Sequence, residues 1–543
     1  MIGESGGTPD DRRVPLLESP DSNDGQESGP EQPKRLSLLG ELWVLMVIAV
    51  PVAIASLSRV AMSSTDLAFL GKLGTKYLSA GSLANVWTWI FNPFAFAPAN
   101  ALNTLCSQAI GAGNKKLAGI WLQLAVVAGA IALIPVLLSY VLTKPVVMAA
   151  TDGDEEVAHL AETFAYVSMV GILPSRMYYL LRQFFQALEI VQPAMYVCVF
   201  AVGVNALLNA CLVPPGGKLS LGFVGSPLAT ASSETFQLGV FSWYVMYKKR
   251  FHEPYWGGWT RDCFQKERVK AFMHILIPAA ISSFMEDTGF IITNLATGPM
   301  GRSSVSANAV LESLISVLWA AYWGMGLSLQ VRVGYFLGAG DIKSGKQVMY
   351  MSLVLVSAIV VLVSFGCYVF RYEVSRWFSE DEEVIEEAAR AMSGMIFLYA
   401  AAIWNLCAVN ILDAMAQQRI LAWTLTIGMW LVGTPCSLLF AYKTHFFADN
   451  QVAGLWFGAG LGELFKGVVL WAYLWRIDWH AQSKDARLRS EVETADSNTN
   501  DEQHDGMLTQ SLLGENPITL SPAQSSPRAQ SISAHSPLLR RQI

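Results

Sequence analysis

Two adjacent carboxylates, Glu286 and Asp287, lie inside the apolar segment Val269 to Thr297, just beyond Pro278. An ionised side chain near the centre of a bilayer costs roughly 2.5–3.5 kcal/mol on insertion scales. A chain keeps such a group where it faces a cavity or a partner, often because it moves protons or ions. Apolar sequence on both sides of Glu286 argues against a solvated helix end, so Glu286 is the first candidate for ion coupling. Arg59 and Asp66 form a second ionisable pair, seven residues apart and therefore on nearly the same face of one helix. Glu234, Asp413 and Glu463 lie in or at the ends of other apolar spans as secondary candidates. Phosphate-binding glycine motifs, hydrolytic triads and metal-ligand spacings are not found in the sequence. No cofactor or metal is expected beyond H⁺ or Na⁺ as a coupling ion, and ATP is not the expected energy source.

These groups must be positioned by helices that cross a membrane. The chain has 543 residues, 53% hydrophobic and only 15% charged. Leu117–Leu142 and Val348–Phe370 contain no Asp, Glu, Lys or Arg, and each exceeds the ~20 residues that a bilayer requires. The net charge of −6 is small and sits largely in the polar ends, so nucleic acid is not an expected partner. The seven cysteines lack ligand spacing and read as small core residues without a disulfide framework. The first apolar run begins near Leu42, so no N-terminal signal peptide is expected.

Twelve apolar spans are expected between the tails. An even number places both termini on one side. Lys248, Lys249, Arg250, Arg261, Lys266, Arg268 and Lys270 cluster between spans six and seven, and the positive-inside rule makes that side cytosolic. The expected organisation is a disordered cytosolic tail (1–35), an N-lobe of helices 1–6 (36–248), a basic cytosolic connector (249–268), a C-lobe of helices 7–12 (269–482) and a second disordered cytosolic tail (483–543). Leu-Leu pairs at 16–17 and 538–539 loosely resemble sorting signals.

The sequence matches itself at one offset, 227. Pro51 aligns with Pro278, Gly71 and Gly74 with Gly298 and Gly301, and Ser79-Ala80 with Ser306-Ala307. Gly111-Ala-Gly113 aligns with Gly338-Ala-Gly340, followed by Asn114 or Asp341 and then Lys116 or Lys343. A gap-free register with identical spacing indicates duplication. The expected fold is therefore an all-α polytopic membrane protein, twelve transmembrane helices in two six-helix pseudo-symmetric bundles, with a solute site between halves that rock against each other. Under this register Arg59 corresponds to Glu286 and is expected either to face the same cleft or to snorkel to the membrane interface. The aromatic clusters Trp87, Trp89, Phe91, Phe94 and Trp319, Tyr322, Trp323 offer faces for organic cations.

Several segments resemble the multidrug and toxic compound extrusion (MATE) family of antiporters. They are Asp66-Leu-Ala-Phe-Leu-Gly-Lys-Leu-Gly74, Leu102 to Gly113, Gly326 to Gly340, and Gly454-Leu-Trp-Phe-Gly458 leading to Arg476-Ile-Asp-Trp479. The likeness covers roughly residues 36–482. It implies export of small organic solutes, often cationic, in exchange for H⁺ or Na⁺. Glu286 matches the acidic position that eukaryotic members use for coupling. Asp66 matches a helix-one aspartate of some prokaryotic members, and Glu312 falls within one residue of a family acid in helix eight. Asn103 and Asn209 (after Asn205) stand where many members have acids; an amide does not titrate but can hold a solute or cation.

The expected coupling residues are thus Glu286, Asp66 and Glu312. The expected solute-binding set is Arg59, Asn103, Gln108, Asn205, Asn209, Trp319 and Tyr322. The expected protein is a monomeric exporter in the plasma membrane or a vacuolar or endolysosomal membrane, with the lipid bilayer and a small organic solute as partners. A lipid-linked flippase and an organic-anion exporter are alternatives within the same fold. An intramembrane enzyme is an alternative of another class, for which the sequence nominates neither nucleophile nor metal.

Overall fold

The duplication governs where every helix begins. In this computed structural model, which describes residues 36–490 apart from 152, 218, 445, 448 and 449, the first half forms α1 (Leu38–Leu73), α2 (Thr75–Trp89), α3 (Asn92–Gly111), α4 (Lys115–Val141), α5 (Thr143–Ala150), α6 (Glu155–Ala187), α7 (Gln192–Leu212) and α8 (Gly225–Ser242). The second half forms α9 (Lys266–Leu295), α10 (Arg302–Ala339), α11 (Ile342–Val369), α12 (Arg371–Arg376), α13 (Glu382–Ala414), α14 (Gln418–Ile427), α15 (Thr434–Tyr442) and α16 (Gln451–Arg476). Shifting the first residues of α2, α4 and α6 by the offset of 227 gives the first residues of α10, α11 and α13. The caps repeat as well. Asn114 and Asp341 cap α4 and α11, and Asp154 and Asp381 cap α6 and α13, each side chain accepting from backbone N–H groups of the first turn. Gly74 and Gly301 immediately precede α2 and α10, and their φ of 130° and 112° admits no ordinary side chain.

Ten helices among the described residues are long and apolar enough to cross a membrane. The other two expected spans, at 79–109 and 223–247, are α2–α3 and α8 with its π-helical extension Trp243–Lys248. α2–α3 is broken at 90–91 because Pro93 starts a new helix and Pro98 follows within it. The repeat carries Ala320 and Met325 at those positions, and α10 runs through unbroken. Conversely, α7 is continuous while its counterpart is interrupted by the π-helical turn Gly428–Gly433 between α14 and α15.

One expected boundary shifts. The segment 479–490 is helical, so an unstructured tail does not begin at 483. Ser483, Ala486 and Ser490 are buried on one face of that helix. Ser483 Oγ donates to the Leu337 carbonyl (2.8 Å), and the Ser490 carbonyl accepts from Asn114 Nδ2 (3.0 Å), so the segment docks on both lobes. Part of the basic connector is likewise seated on α4: Gln123 Nε2 donates to the Gly258 carbonyl (2.6 Å), and its Oε1 accepts from Thr260 N (3.0 Å). The expectations for residues 1–35, for 491–543 and for both Leu-Leu pairs lie outside the described residues.

The lobes meet on the side of the connector. There α3 crosses α10 so closely that a Cβ on Gly111 would overlap the Tyr335 carbonyl, and one on Gly338 would overlap the Gln108 carbonyl. The two overlaps are repeat images of each other. Beside this crossing, Arg332 on α10 donates to both oxygens of Glu41 on α1 (2.9 and 2.7 Å) and to Glu189 beyond α6 (3.0 Å). All three side chains are at most 10% exposed. The first helices pack reciprocally. Leu45 and Ala49 of α1 join the C-lobe core with Leu311 and Met395, whereas Phe272 and Ile275 of α9 join the N-lobe core with Leu102 and Trp121.

Gly111→Ala and Gly338→Ala are each expected to cost about 1–3 kcal/mol, the usual penalty of overpacking. Thermal unfolding of the detergent-solubilised protein should show a lowered midpoint for both. Gly366→Ala, at a site with open space around it, serves as the neutral control.

Candidate functional site

In the N-lobe, Asp66 is held by groups from two other helices. Its Oδ1 accepts from Asn209 Nδ2 (2.8 Å) and Asn205 Nδ2 (3.2 Å) on α7, and its Oδ2 accepts from Thr230 Oγ1 (2.6 Å) on α8. Asn205 and Asn209 are four residues apart, hence on one face of α7, and both are fully buried. Asp66, Asn205 and Asn209 thus form one constellation, with Thr230 as a fourth member that the sequence reading missed. Thr230 lies four residues before Glu234 on an apolar helix, and that spacing is the signal that could have found it. Glu234 accepts from Ser175 Oγ (2.8 Å) and lies within Coulomb range of Arg59 and Arg176.

The C-lobe holds a different arrangement. Lys466 Nζ, on α16, lies 2.5 Å from Glu286 Oε1 on α9 and 2.6 Å from Glu463 Oε1 one turn away on its own helix. Asn405 Nδ2 on α13 donates to the remaining Glu463 oxygen (2.9 Å). Lys466 is 0% exposed, Glu463 16% and Glu286 34%, so the ammonium is innermost and Glu286 outermost. The cation on Glu286 is Lys466, which the repeat did not point to, and Arg59 lies within Coulomb range of Glu234 in its own lobe. A lysine three residues after Glu463 was visible in the sequence. Nothing local linked it to a helix 180 residues away.

Glu312 on α10 lies beside Asn294 of α9, and its Oε1 is buried without a hydrogen-bond partner among the described residues. It belongs to neither cluster. Four of the expected solute-binding residues are placed elsewhere. Asn103 Nδ2 donates to Gln330 Oε1 (3.1 Å), its own repeat equivalent, and Gln108 Nε2 donates to the Ala414 carbonyl (2.7 Å). Both are about 1% exposed and join the two lobes rather than line an open surface. Tyr322 is buried in the C-lobe core with its hydroxyl against Cys407 Sγ (3.5 Å), and Trp319 packs half-buried on the same core. An aromatic contact between lobes does lie near Glu286: Phe284 meets Phe91, which caps α3, and Phe94 of α3 at centroid distances of 6.1 and 5.2 Å.

A family model, MatE, matches residues 51–211 and 278–439, so that each block opens on a repeat proline. Multidrug and toxin extrusion protein 2 of Mus musculus is 28% identical over 454 residues, covering 83% of this chain and 77% of that protein. Multidrug and toxin extrusion protein 1 of Homo sapiens is 25% identical over 454 residues, covering 83% and 78%. Among solved structures, the eukaryotic MATE transporter AtDTX14 superposes with a TM-score of 0.76 at 23% identity, covering 83% of this chain and 99% of that one. The Vibrio cholerae MATE transporter VcmN in its bent form gives 0.70 at 19% identity, covering 83% and 99%.

Removing a hydrogen-bond donor from a buried carboxylate costs about 1–3 kcal/mol. Asn209→Ala is therefore expected to destabilise the folded protein by about that amount. In an Asp66→Asn background the same substitution should cost less, because the charge that Asn209 serves is gone. Chemical denaturation of the four proteins of this cycle measures the coupling; additive costs would show that Asn209 stabilises the lobe independently of Asp66.

Proposed function

The chain belongs to the MATE family of transporters, and from that membership we propose that it extrudes small organic solutes in exchange for protons. The two lobes would expose a shared cleft to either side in turn, with Glu286 as the coupling carboxylate. The observation that carries this reading is the placement of Glu286. It is the one member of the C-lobe ion cluster with substantial exposure, and Phe284, one turn-half before it, meets the opposite lobe. A carboxylate there is reachable by a proton or by a cationic solute, and it holds either one at the expense of the other. Competition for one charge is sufficient for exchange when the cleft alternates between sides.

The Asp66 cluster is the N-lobe counterpart. Three neutral donors hold Asp66, so a cation arriving there meets a single uncompensated acid. One observation favours sodium as a second reading at that site: Asn205 Oδ1 and Asn209 Oδ1 are buried without partners among the described residues. Amide carbonyls beside a carboxylate form an oxygen set suited to a hard cation. The even span count and the basic connector support cytosolic termini, and we propose a plasma or vacuolar/endolysosomal membrane and a monomeric, cofactor-free protein. An organic-anion exporter or a lipid-linked flippase would favour a cationic cleft, whereas both clusters carry more carboxylates than their own cations neutralise. The family's transport role weighs against an intramembrane enzyme.

The test is solute flux in liposomes with a pH gradient or a Na⁺ gradient imposed one at a time. Glu286→Gln keeps the size of the side chain and removes its titration, and should lower pH-driven export at least about tenfold in a protein that still folds. Glu286→Asp should retain partial activity. A Gln variant as fast as the parent would move the coupling step away from Glu286.

A further inference from the structure

The cation that occupies Glu286 is part of the protein. Lys466 is completely buried, and the backbone is built around its stem: a Cβ on Gly428 would overlap Lys466 Cγ, and Gly433 packs directly on Gly462 of α16. The π-helical turn Gly428–Gly433 is what brings both glycines to that surface. A buried ammonium requires an anionic partner, since an unpaired charge costs several kcal/mol. One carboxylate would meet that need. Lys466 has two, and they are not equivalent. Glu463 is the inner one, fixed from its far side by Asn405, whereas Glu286 is the outer one and open to the cleft.

From this geometry we infer that Lys466 is a tethered counter-ion that sets the C-lobe site to a net charge of minus one and thereby selects monovalent over divalent organic cations. Glu463 neutralises the ammonium permanently, and the remaining negative charge resides on Glu286. A single proton or a single monovalent cation brings the site to neutrality. A dication leaves an excess positive charge in a partly desolvated place, where such an excess is costly. The groups facing the site from neighbouring helices are Asn405 of α13, which is neutral, and the glycine-rich turn before α15. Asp287 follows Glu286 but is rotated about 100° round α9, and its contribution is common to every variant compared below.

This inference rests on the proposal that the cleft beside Glu286 receives the solute, and the test separates the two. Purified parent and variants are titrated with hexyltrimethylammonium and with hexamethonium, one and two quaternary charges on the same six-carbon chain, and dissociation constants are compared. The parent should bind the monocation more tightly. Lys466→Gln takes the site to minus two and should shift the ratio toward the dication by roughly tenfold, the effect of one added charge at about 6 Å in a partly screened site. Glu463→Gln takes it to zero and should weaken monocation binding by about the same factor. The double variant Glu463→Gln/Lys466→Gln restores minus one and should return the ratio to the parent's side.

An ion pair that served only to hold helices together would leave the double variant no closer to the parent than Lys466→Gln, and that result overturns the inference. A parent that binds neither probe, or binds both equally, overturns it as well. Should Lys466→Gln fail to fold, Glu463→Gln decides alone, since unchanged monocation binding contradicts the charge assignment. A parent that binds the monocation but does not exchange it for protons in liposomes refutes the antiport reading and leaves the charge assignment standing.

Discussion

The approach of α3 to α10 at Gly111 and Gly338 is the contact on which the arrangement of the lobes depends. Two helices come this close only where neither carries a side chain at the crossing, and here each glycine makes room for a carbonyl of the other helix. Symmetry makes the contact self-consistent: residues 111 and 335 meet, and so do their images 338 and 108. Around it the polar groups of both helices find partners across the interface, among them Asn103 with Gln330 and Thr104 with Gln330. Arg332, stacked on Phe336 at 4.7 Å, completes the seal by binding two acids of the opposite half. Such ions are retained at a desolvation cost and give the joint a defined register more than raw strength.

Away from that joint, each lobe settles its own charges, and it does so with opposite polarity. The first helix of the N-lobe supplies a cation, Arg59, in reach of an acid on that lobe's last helix, Glu234. The first helix of the C-lobe supplies an acid, Glu286, at the equivalent position, against a cation on its last helix, Lys466. Only the first-helix positions correspond at the repeat offset; Glu234 aligns with Leu461 and Lys466 with Gly239, so the partners on the last helices arose separately. The two lobes therefore carry unlike charged groups on like backbones. The interruptions differ between the lobes as well: prolines break α2–α3 in one, and a π-helical turn separates α14 from α15 in the other, where α7 is continuous.

Most of the backbone was legible in the sequence because periodic apolar runs and repeated glycines act locally. The offset read over sixty residues extends in the structure to the ends of α6 and α13. The prominence of Glu286 was legible for the same reason, as a charge within apolar sequence. Partners were not. A polar residue in an apolar helix reads alike whether it faces a cleft, as was expected of Asn103 and Gln108, or the other lobe, as both do. Asp66, Asn205 and Asn209 were each notable alone, yet only the packing of α1 on α7 makes them one group. Lys466 went unnoticed because its meaning lies in a helix far away in the chain, and Tyr322 misled because a core aromatic and a binding aromatic share one spacing.

The reciprocal packing of the first helices bears on how the molecule is assembled. Leu45 and Ala49 find their core neighbours on α10 and α13, more than 250 residues further along the chain. Phe272 and Ile275 look back in the same way to α3 and α4. During synthesis the early half of α1 therefore enters the bilayer with its permanent neighbours not yet made, and the N-lobe that forms first lacks a place to bury it. Neither half finishes its core alone. Two gene-duplicated bundles that resemble independent modules are, in their order of maturation, a single cooperative unit whose earliest helix is among the last to be locked.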